Sequence, residues 1–484
     1  MNLTTLSGNP LYRSVFEKSR KSSDFQYKEF KIAGEHDASL LFFDGSVDQA
    51  ALVRDVICPL TVADGIEGSD DLPKQVAAAC FSLSSSLCGD EKKLCEKLAY
   101  GNAVLFVGRH RVGIVFDVRP KNGRSVTEPT SENVMKGGKD CLTEQIKENI
   151  SLLRRRLTNP DLTVERCVVG KQSSTNIFLV SIDGIANPDC IALAKERLNA
   201  LDIDCVTSIG VIEEALKEGH CLFPQIVCTE RPDRICAYIN EGCVAVLIDG
   251  FPYALLAPVT ILHHLSTADD YSRHPVAASA IRILRYFLLL IALILPGFYI
   301  SVAVFHQEML PSKLATSIIR TRLSVPFNDL IEIIVLLIAF EILVEAGLRM
   351  PQNIGQTVSI VGGLIVGDAA VNAQLISPVV VIVVAIAVIA TYTIPDQDFS
   401  NAVRLCRLLL CLICSVLGLA GLSFGMIVLT CYLCASRSLG IPYMAPLTGT
   451  SPPTKDTFRR LPFRRDIERP AYLGTRNTIR RKDE

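Results

Sequence analysis

The sequence predicts an α/β cytoplasmic N-terminal region of two small modules, followed by an α-helical polytopic membrane domain. Three observations carry that prediction. Apolar residues make up 49% of the 484 residues and mean hydropathy is +0.33, yet they concentrate after about Arg285, where the charges that punctuate every earlier turn thin out. A strand, a helix, a helix-rich middle and a hairpin-like pair occur in that order twice before residue 275. Beyond Tyr286, apolar runs of bilayer length follow one another. The divisions expected are residues 1–125 for the first module, 126–160 for a polar linker and connecting helix, 161–275 for the second module, 276–440 for the membrane domain and 441–484 for a basic cytoplasmic tail.

In the first module Ser39 to Gly45 reads as a strand ending in a turn, followed by a helical pattern through Ala50, Val53, Ile57 and Leu60. Asn176 to Gly184 repeats that design, with a helical pattern from Asp189 to Leu201. The hairpin-like pairs are Ala103–Val107 with Val112–Val118, and Ile235–Tyr238 with Cys243–Ile248. Between the halves, a helix ending in Arg154, Arg155 and Arg156 places three guanidinium groups where they favour the helix dipole. They read either as a solvated cap or as a contact with a neighbouring subunit or lipid phosphates. Thr229 to Arg234 is a rigid polar connector around Pro232, and Glu230, Arg231 and Asp233 join the arginines as candidate subunit contacts.

Other chemistries lack their patterns. Gly123, Gly137 and Gly138 belong to no phosphate-cradling motif. The 17 cysteines follow neither a disulfide rhythm nor zinc spacing, and the adjacent His263 and His264 suit capping or surface roles better than ligation. Cys411/Cys414 and Cys431/Cys434 have CxxC spacing without a redox-fold context, so packing thiols are expected. No cofactor, metal or catalytic residue is assigned. With 49 basic against 50 acidic residues, no global field favours nucleic acid, and the arginine-rich tail lacks interleaved aromatics. The start, Met1 to Pro10, has no signal-like pattern, so the N-terminal region is expected in the cytoplasm, and the basic tail holds the C-terminus there too.

The first span expected is Tyr286 to Phe305, with Arg273, Arg282 and Arg285 as its cytoplasmic flank and Pro296-Gly297 as a weak point. The second, Ile331 to Gly347, is interrupted by Glu332, Glu341 and Glu345. Glu341 and Glu345 share a face, and a carboxylate exposed to lipid is costly, so they are expected to meet protein, a counter-charge or water. The alternatives are a cation-attracting or proton-responsive pore lining, and a structural pair with Arg349 or a polar contact between helices. Residues 356–372 are apolar, short and glycine-rich. Gly362, Gly363 and Gly367 suit close approach, and Asp368 and Asn372 share a face, in either a re-entrant conduction element or a tightly packed helix. Leu375 to Ile394 is a further span. Leu405 to Leu433 is long enough for one tilted or kinked helix but short for two full crossings, with Gly418, Gly421 and Gly425 as a small-residue seam. With both ends cytoplasmic the crossings must be even in number. Four spans plus a re-entrant element satisfy this; a fully crossing 356–372 requires the final region to split in two.

Several strings in fixed order carry a resemblance. Glu128-Pro-Thr-Ser-Glu-Asn133, Asn149 to Arg156, Thr229-Glu-Arg-Pro-Asp233, Asp269-Asp-Tyr271, Pro296-Gly-Phe-Tyr299, Phe340 to Arg349, Ser359 to Gly367 and Gly440-Ile-Pro-Tyr443 together resemble the A-subunit family of bacterial spore germinant receptors. The likeness covers about residues 20 to 475. It implies residence in the inner spore membrane as a multi-pass protein, assembly of a homo-oligomeric ring forming a ligand-gated ion channel, and partnership with membrane lipid, a transporter-like B subunit and a lipoprotein C subunit. It places Glu341 and Glu345 in the family's acidic helix and Gly362 to Asp368 in its glycine-rich element. Asp368 departs from the family's usual neutral glutamine, which bears on selectivity. A sister branch, the stage V sporulation proteins of the A-subunit type, is also similar and implies dipicolinate-channel proteins as partners. A non-conducting scaffold subunit is the other reading.

Overall fold

The computed structural model describes residues 5–62, 71–82, 84–120, 132, 136–219, 221–323, 325–349, 368–445, 447–448 and 458–480. Its N-terminal half contains the same unit twice. The first runs α1 (Pro10–Ser19), β1 (Phe25–Ile32), β2 (His36–Phe43), α2 (Gln49–Leu52) continuing through a π-turn into α3 (Cys58–Val62), α4 (Leu72–Ala79), β3 (Ser85–Cys88), α5 (Glu91–Ala99), β4 (Ala103–Val107) and β5 (Gly113–Phe116). The second runs α6 (Ile146–Arg156), β6 (Leu162–Val169), β7 (Thr175–Ile182), α7 (Pro188–Ala200), α8 (Ile209–Leu216), β8 (Val227–Thr229), α9 (Pro232–Glu241), β9 (Val244–Ile248) and β10 (Ala254–Ala257). The sheet orders are β1-β2-β4-β5-β3 and β6-β7-β9-β10-β8, identical position for position, and all the recorded pairings are antiparallel. Each sheet has a core on both faces: Leu40, Leu105 and Ile114 on one and Leu41, Val104 and Val115 on the other in the first unit. That explains why the central strands read as unbroken apolar runs.

One expected hairpin is corrected. Ala103–Val107 pairs with the following strand as anticipated, but Ile235–Tyr238 lies within α9, and β9 pairs with β10 instead. Pro232 at the first turn, buried Ile235, Tyr238 and Ile239 at helical spacing, and left-handed Gly242 just past the end all specify a helix. The apolar content was right and the period was misread.

After α10 (Ile261–Leu265) and α11 (Ala268–Ser272), the chain becomes helical: α12 (Pro275–Phe305), α13 (Ser312–Leu323), α14 (Asp329–Arg349), α15 (Pro378–Thr391) and α16 (Gln397–Ala435). Among the described residues, α12 and α16 are long and apolar enough to cross a membrane, with mean hydropathy 2.6 and 2.4. Helices α14 and α15 run parallel: Glu332 near the start of α14 meets Ser377 at the start of α15, and Phe340 and Glu341 further along meet Thr391 and Tyr392 at its end. Arg349 and Ser377 therefore lie at opposite ends of this pair. Residues 356–367, including Gly362, Gly363 and Gly367, are outside the described residues.

Helix α16 is a hairpin. At Gly418 the backbone takes φ 60° and ψ −140°, a combination open to glycine. A Cβ placed on Gly421 would lie 2.8 Å from the carbonyl oxygen of Ile413, and one on Gly425 would lie 2.5 Å from Leu410 Cδ2. Residues eight and fifteen apart are about 12 and 22 Å apart along a straight helix, so the two arms must fold back on each other. The glycine seam is the contact between them. The single tilted or kinked helix expected for the final apolar region is thus corrected to two arms divided at Gly418, because the glycine backbone there leaves the helical region.

Replacing Gly418 by alanine puts a Cβ 3.1 Å from the Phe305 ring as well as forcing an unfavourable φ. The Gly418→Ala chain should lose about 1–3 kcal/mol, seen as a lower thermal midpoint of the detergent-purified protein.

Candidate functional site at the junction of modules and helices

The two modules are joined by a buried ion pair. Arg154 reaches from α6 to Asp24 of the first module with Nε 2.6 Å from Oδ2 and Nη2 2.8 Å from Oδ1, and also binds Ser22 Oγ at 3.0 Å. Its guanidinium lies 3.8 Å from the centroid of the Phe43 ring. At 1% exposure, Arg154 is committed inside the chain rather than offered to a neighbouring subunit. Arg155 is exposed, and Arg156 pairs with Asp140. The run of three arginines therefore divides among three environments because successive residues on a helix point in different directions.

The connector is likewise organised from within. Arg231, 2% exposed, makes a two-point contact with Asp233 at 3.1 and 2.7 Å and donates to the carbonyls of Glu132 and Gly138 at 3.2 Å. Glu132 pairs with Arg234 at 2.9 Å, accepts from Thr229 at 3.0 Å, and its N–H donates to Glu230 at 3.3 Å. Two strings nearly a hundred residues apart thus form one polar lock, with Arg231 and the buried Glu230 on its inner side.

Below it the second module grips the helical region. Thr260 and His263 form a capping box on α10, with His263 Nδ1 accepting from the Thr260 N–H at 2.9 Å. Burial pushes His263 down to about 3, and the neighbouring His264 and Arg234 add to that shift. His264 is fully buried, stacks on Phe399 and contacts Asp396 at 2.7 Å through Nδ1. Asp396 also caps α16 by accepting from the Phe399 N–H at 3.0 Å. Burial pushes its carboxyl up, but the His264 and Phe399 hydrogen bonds prevail and hold it low. The other end of the α16 hairpin returns to the same module, where the Leu222 N–H donates to Tyr432 Oη at 2.7 Å. Asp270, buried at the cap of α11, pairs with Arg285 at 3.2 Å and Arg282 at 3.5 Å. These arginines, expected as the cytoplasmic flank of the first span, are buried counter-ions to one carboxylate.

The tail is part of this junction. Arg460 donates to the carbonyls of Tyr271 and Arg273, Arg480 pairs with Glu241 and Asp466, and Leu473 enters the second module's core. A cavity of about 60 Å³ lies between tail, module and α12, lined by Glu241, His263, Arg282, Asp466, Glu468 and Arg480 among others. Sequence reasoning gave His264 a capping or surface role where it is buried against Asp396, and missed Asp396, Glu132 and the tail's docking; Asp396 followed by a helical pattern was a local cap signal.

The acids of the helical region fall into two groups. Asp329 and Glu332 are buried, the first 2.8 Å from Arg322 and the second accepting from the Ser377 N–H at 2.7 Å. Glu341, half-buried, pairs with Arg404 on α16 at 3.1 Å. Glu345 is exposed and pairs with Arg349 at 2.6 Å, while Asp368 and Asn372 are exposed. Glu341 and Glu345 share a helix face by spacing but have separate partners, because α16 reaches only the first.

Breaking the Arg154 pair leaves Asp24 buried without its counter-charge. Arg154→Ala should cost about 3 kcal/mol in a denaturant titration of the purified chain, against less than about 0.5 kcal/mol for exposed Arg155→Ala. The low His263 value has a defined sign. The unfolded histidine, near 6.5, takes a proton that the folded one refuses, so stability is full above pH 6.5 and declines as pH falls toward 3. Between pH 6.5 and about 4.5 the decline should approach about 1.4 kcal/mol per pH unit, and His263→Gln should flatten it. The carboxylates Asp270 and Asp396, both held low, lose their contributions only below the ordinary carboxyl range.

Comparison with known proteins identifies the lineage. The family described as "Bacillus/Clostridium GerA spore germination protein" matches residues 13–472. Spore germination protein KA of Bacillus subtilis (strain 168) is 34% identical over 470 residues, 96% of this chain and 86% of that protein. Uncharacterized membrane protein YfkQ of the same organism is 33% identical over 463 residues, 94% of this chain and 89% of its own length. The crystal structure of the N-terminal domain of the A subunit of the Bacillus megaterium spore germinant receptor GerK3 aligns with 25% identity and a TM-score of 0.40, covering 53% of this chain and 98% of that one. By the extent of the family match and the identity to a near full-length relative, this chain belongs to the Bacillus/Clostridium GerA spore germination protein family.

Proposed function

We propose that this chain is the A subunit of a spore germinant receptor: a multi-pass inner-membrane protein with both ends cytoplasmic, oligomeric, and coupling a nutrient signal to ion flux. Its partners in this reading are further copies of itself, membrane lipid, a transporter-like B subunit and a lipoprotein C subunit. The observation that carries the coupling role is the double attachment of the α16 hairpin to the second module, through His264–Asp396 at one end and Leu222–Tyr432 at the other. A displacement of the module acts on both arms together, which is the two-state element a gated complex needs. Within an oligomer, Glu345 and Asp368, two of the acids left exposed in the single chain, together with Asn372, are placed to face another copy or an aqueous path.

A non-conducting scaffold is the second reading, favoured by the commitment of Asp329, Glu332 and Glu341 to partners within the chain. Reconstitution into liposomes with the cognate subunits separates the two. Stimulus-dependent cation flux that falls several-fold in Glu345→Gln or Asp368→Asn, with assembly intact by cross-linking, is the expected result. Absence of flux from a fully assembled, stimulated complex leaves the scaffold.

A further inference from the structure

The Glu341 cluster carries one more positive charge than negative. Arg404 and Arg407 from α16 face the single carboxylate of Glu341 from α14. Arg404 Nη1 reaches Glu341 Oε2 at 3.1 Å, whereas Arg407 Nη2 stops 4.0 Å from Oε1, beyond hydrogen-bond range. Arg407 is 2% exposed, and its Nη1 donates to Thr391 Oγ1 at 3.1 Å and to the Ala387 carbonyl at 3.4 Å. Its Nε has no hydrogen-bond partner at all. A buried guanidinium with an idle donor beside a surplus charge is costly unless an acceptor occupies the site. The small cleft between the three side chains is walled by Phe340, Val344, Val388 and Tyr392.

We infer that this cleft binds the phosphodiester of an anionic phospholipid. One negative charge added to two guanidinium groups and one carboxylate brings the cluster to neutrality, and the cleft, about 10 Å³, admits one phosphate oxygen while the rest of the head group stays at its mouth. The surroundings select a lipid over a water-borne anion: Ile342, Ile389 and Leu405, next in sequence to cleft residues or to Arg404, are exposed apolar side chains. Arg404 lies eight residues, about 12 Å of helix, beyond Asp396, which touches the soluble module. That is head-group depth on the module side, where basic pockets between helices recognise acidic lipids. The inference rests on the membrane reading given above.

The test uses the full chain in nanodiscs of equal phosphatidylglycerol and phosphatidylcholine, followed by gentle extraction and native mass spectrometry of the lipid retained. Phosphatidylglycerol should be retained over phosphatidylcholine by about tenfold. Arg404→Gln and Arg407→Gln should bring the ratio close to one. Should Arg407→Gln fail to fold, Glu341→Gln decides the matter, since it frees Arg404 and should raise the ratio above that of the unaltered chain. Equal retention of the two lipids by the unaltered chain overturns the inference. So does a thermal midpoint raised by inorganic phosphate in phosphatidylcholine-only discs without any phosphatidylglycerol preference, which makes the cleft a free-anion site. Failure of the chain to enter discs at all overturns the membrane reading and this inference with it.

Discussion

A carboxylate among apolar helices has to be matched, and the packing of the helical region follows from that requirement. Glu332 is matched by a backbone N–H at the start of α15, which sets those two helices side by side and parallel. Asp329 is matched by Arg322, which fixes α13 against α14. Glu341 is matched by Arg404, which ties α14 to the first arm of the α16 hairpin. Each of these three acids thus specifies one helix–helix neighbour, whereas Glu345 pairs with Arg349 within its own helix. The same rule operates at the module side, where Asp270 gathers Arg282 and Arg285 and Asp396 gathers His264.

The sequence disclosed what depends on local period and missed what depends on distant partners. The two-module plan was legible because β2 and β7, with the helices that follow them, carry matching patterns, and the identical sheet orders show how far the duplication extends. The long apolar helices were legible from hydropathy alone. The strand assigned at Ile235–Tyr238 failed because a short apolar run supports either period, and the evidence for a helix lay in its flanking Pro232 and Gly242. Arg154 was visible as one of three helix-terminal arginines, but nothing local said that its partner is 130 residues earlier. The separation of Glu341 from Glu345 was equally hidden, since it depends on where α16 packs.

The C-terminal segment shows how charge composition misleads about exposure. Eight arginines in the final stretch read as a basic cytoplasmic tail, and Arg460, Arg469 and Arg480 spend their donors on backbone carbonyls and carboxylates of the second module, of α11 and of the tail itself. Leu473 completes that module's core, and Thr475 sits so close to Gly242 that a Cβ there would meet its methyl group at 2.4 Å. Ile441 and Ala445, just after the last helix, join the same core. The second module is therefore built from three separate stretches of chain, and its integrity depends on the far end of the polypeptide.

The turn at Gly418 has no loop. Two arms joined by one residue and fastened at their open end to a single module cannot slide past each other like pistons. They form a lever with its fulcrum at the module and its tip on the opposite side, against Phe305 at the end of α12. For an arm of roughly 25 Å, a swing of about 5° at the fulcrum carries the tip sideways by about 2 Å, enough to exchange one set of side-chain contacts for another there.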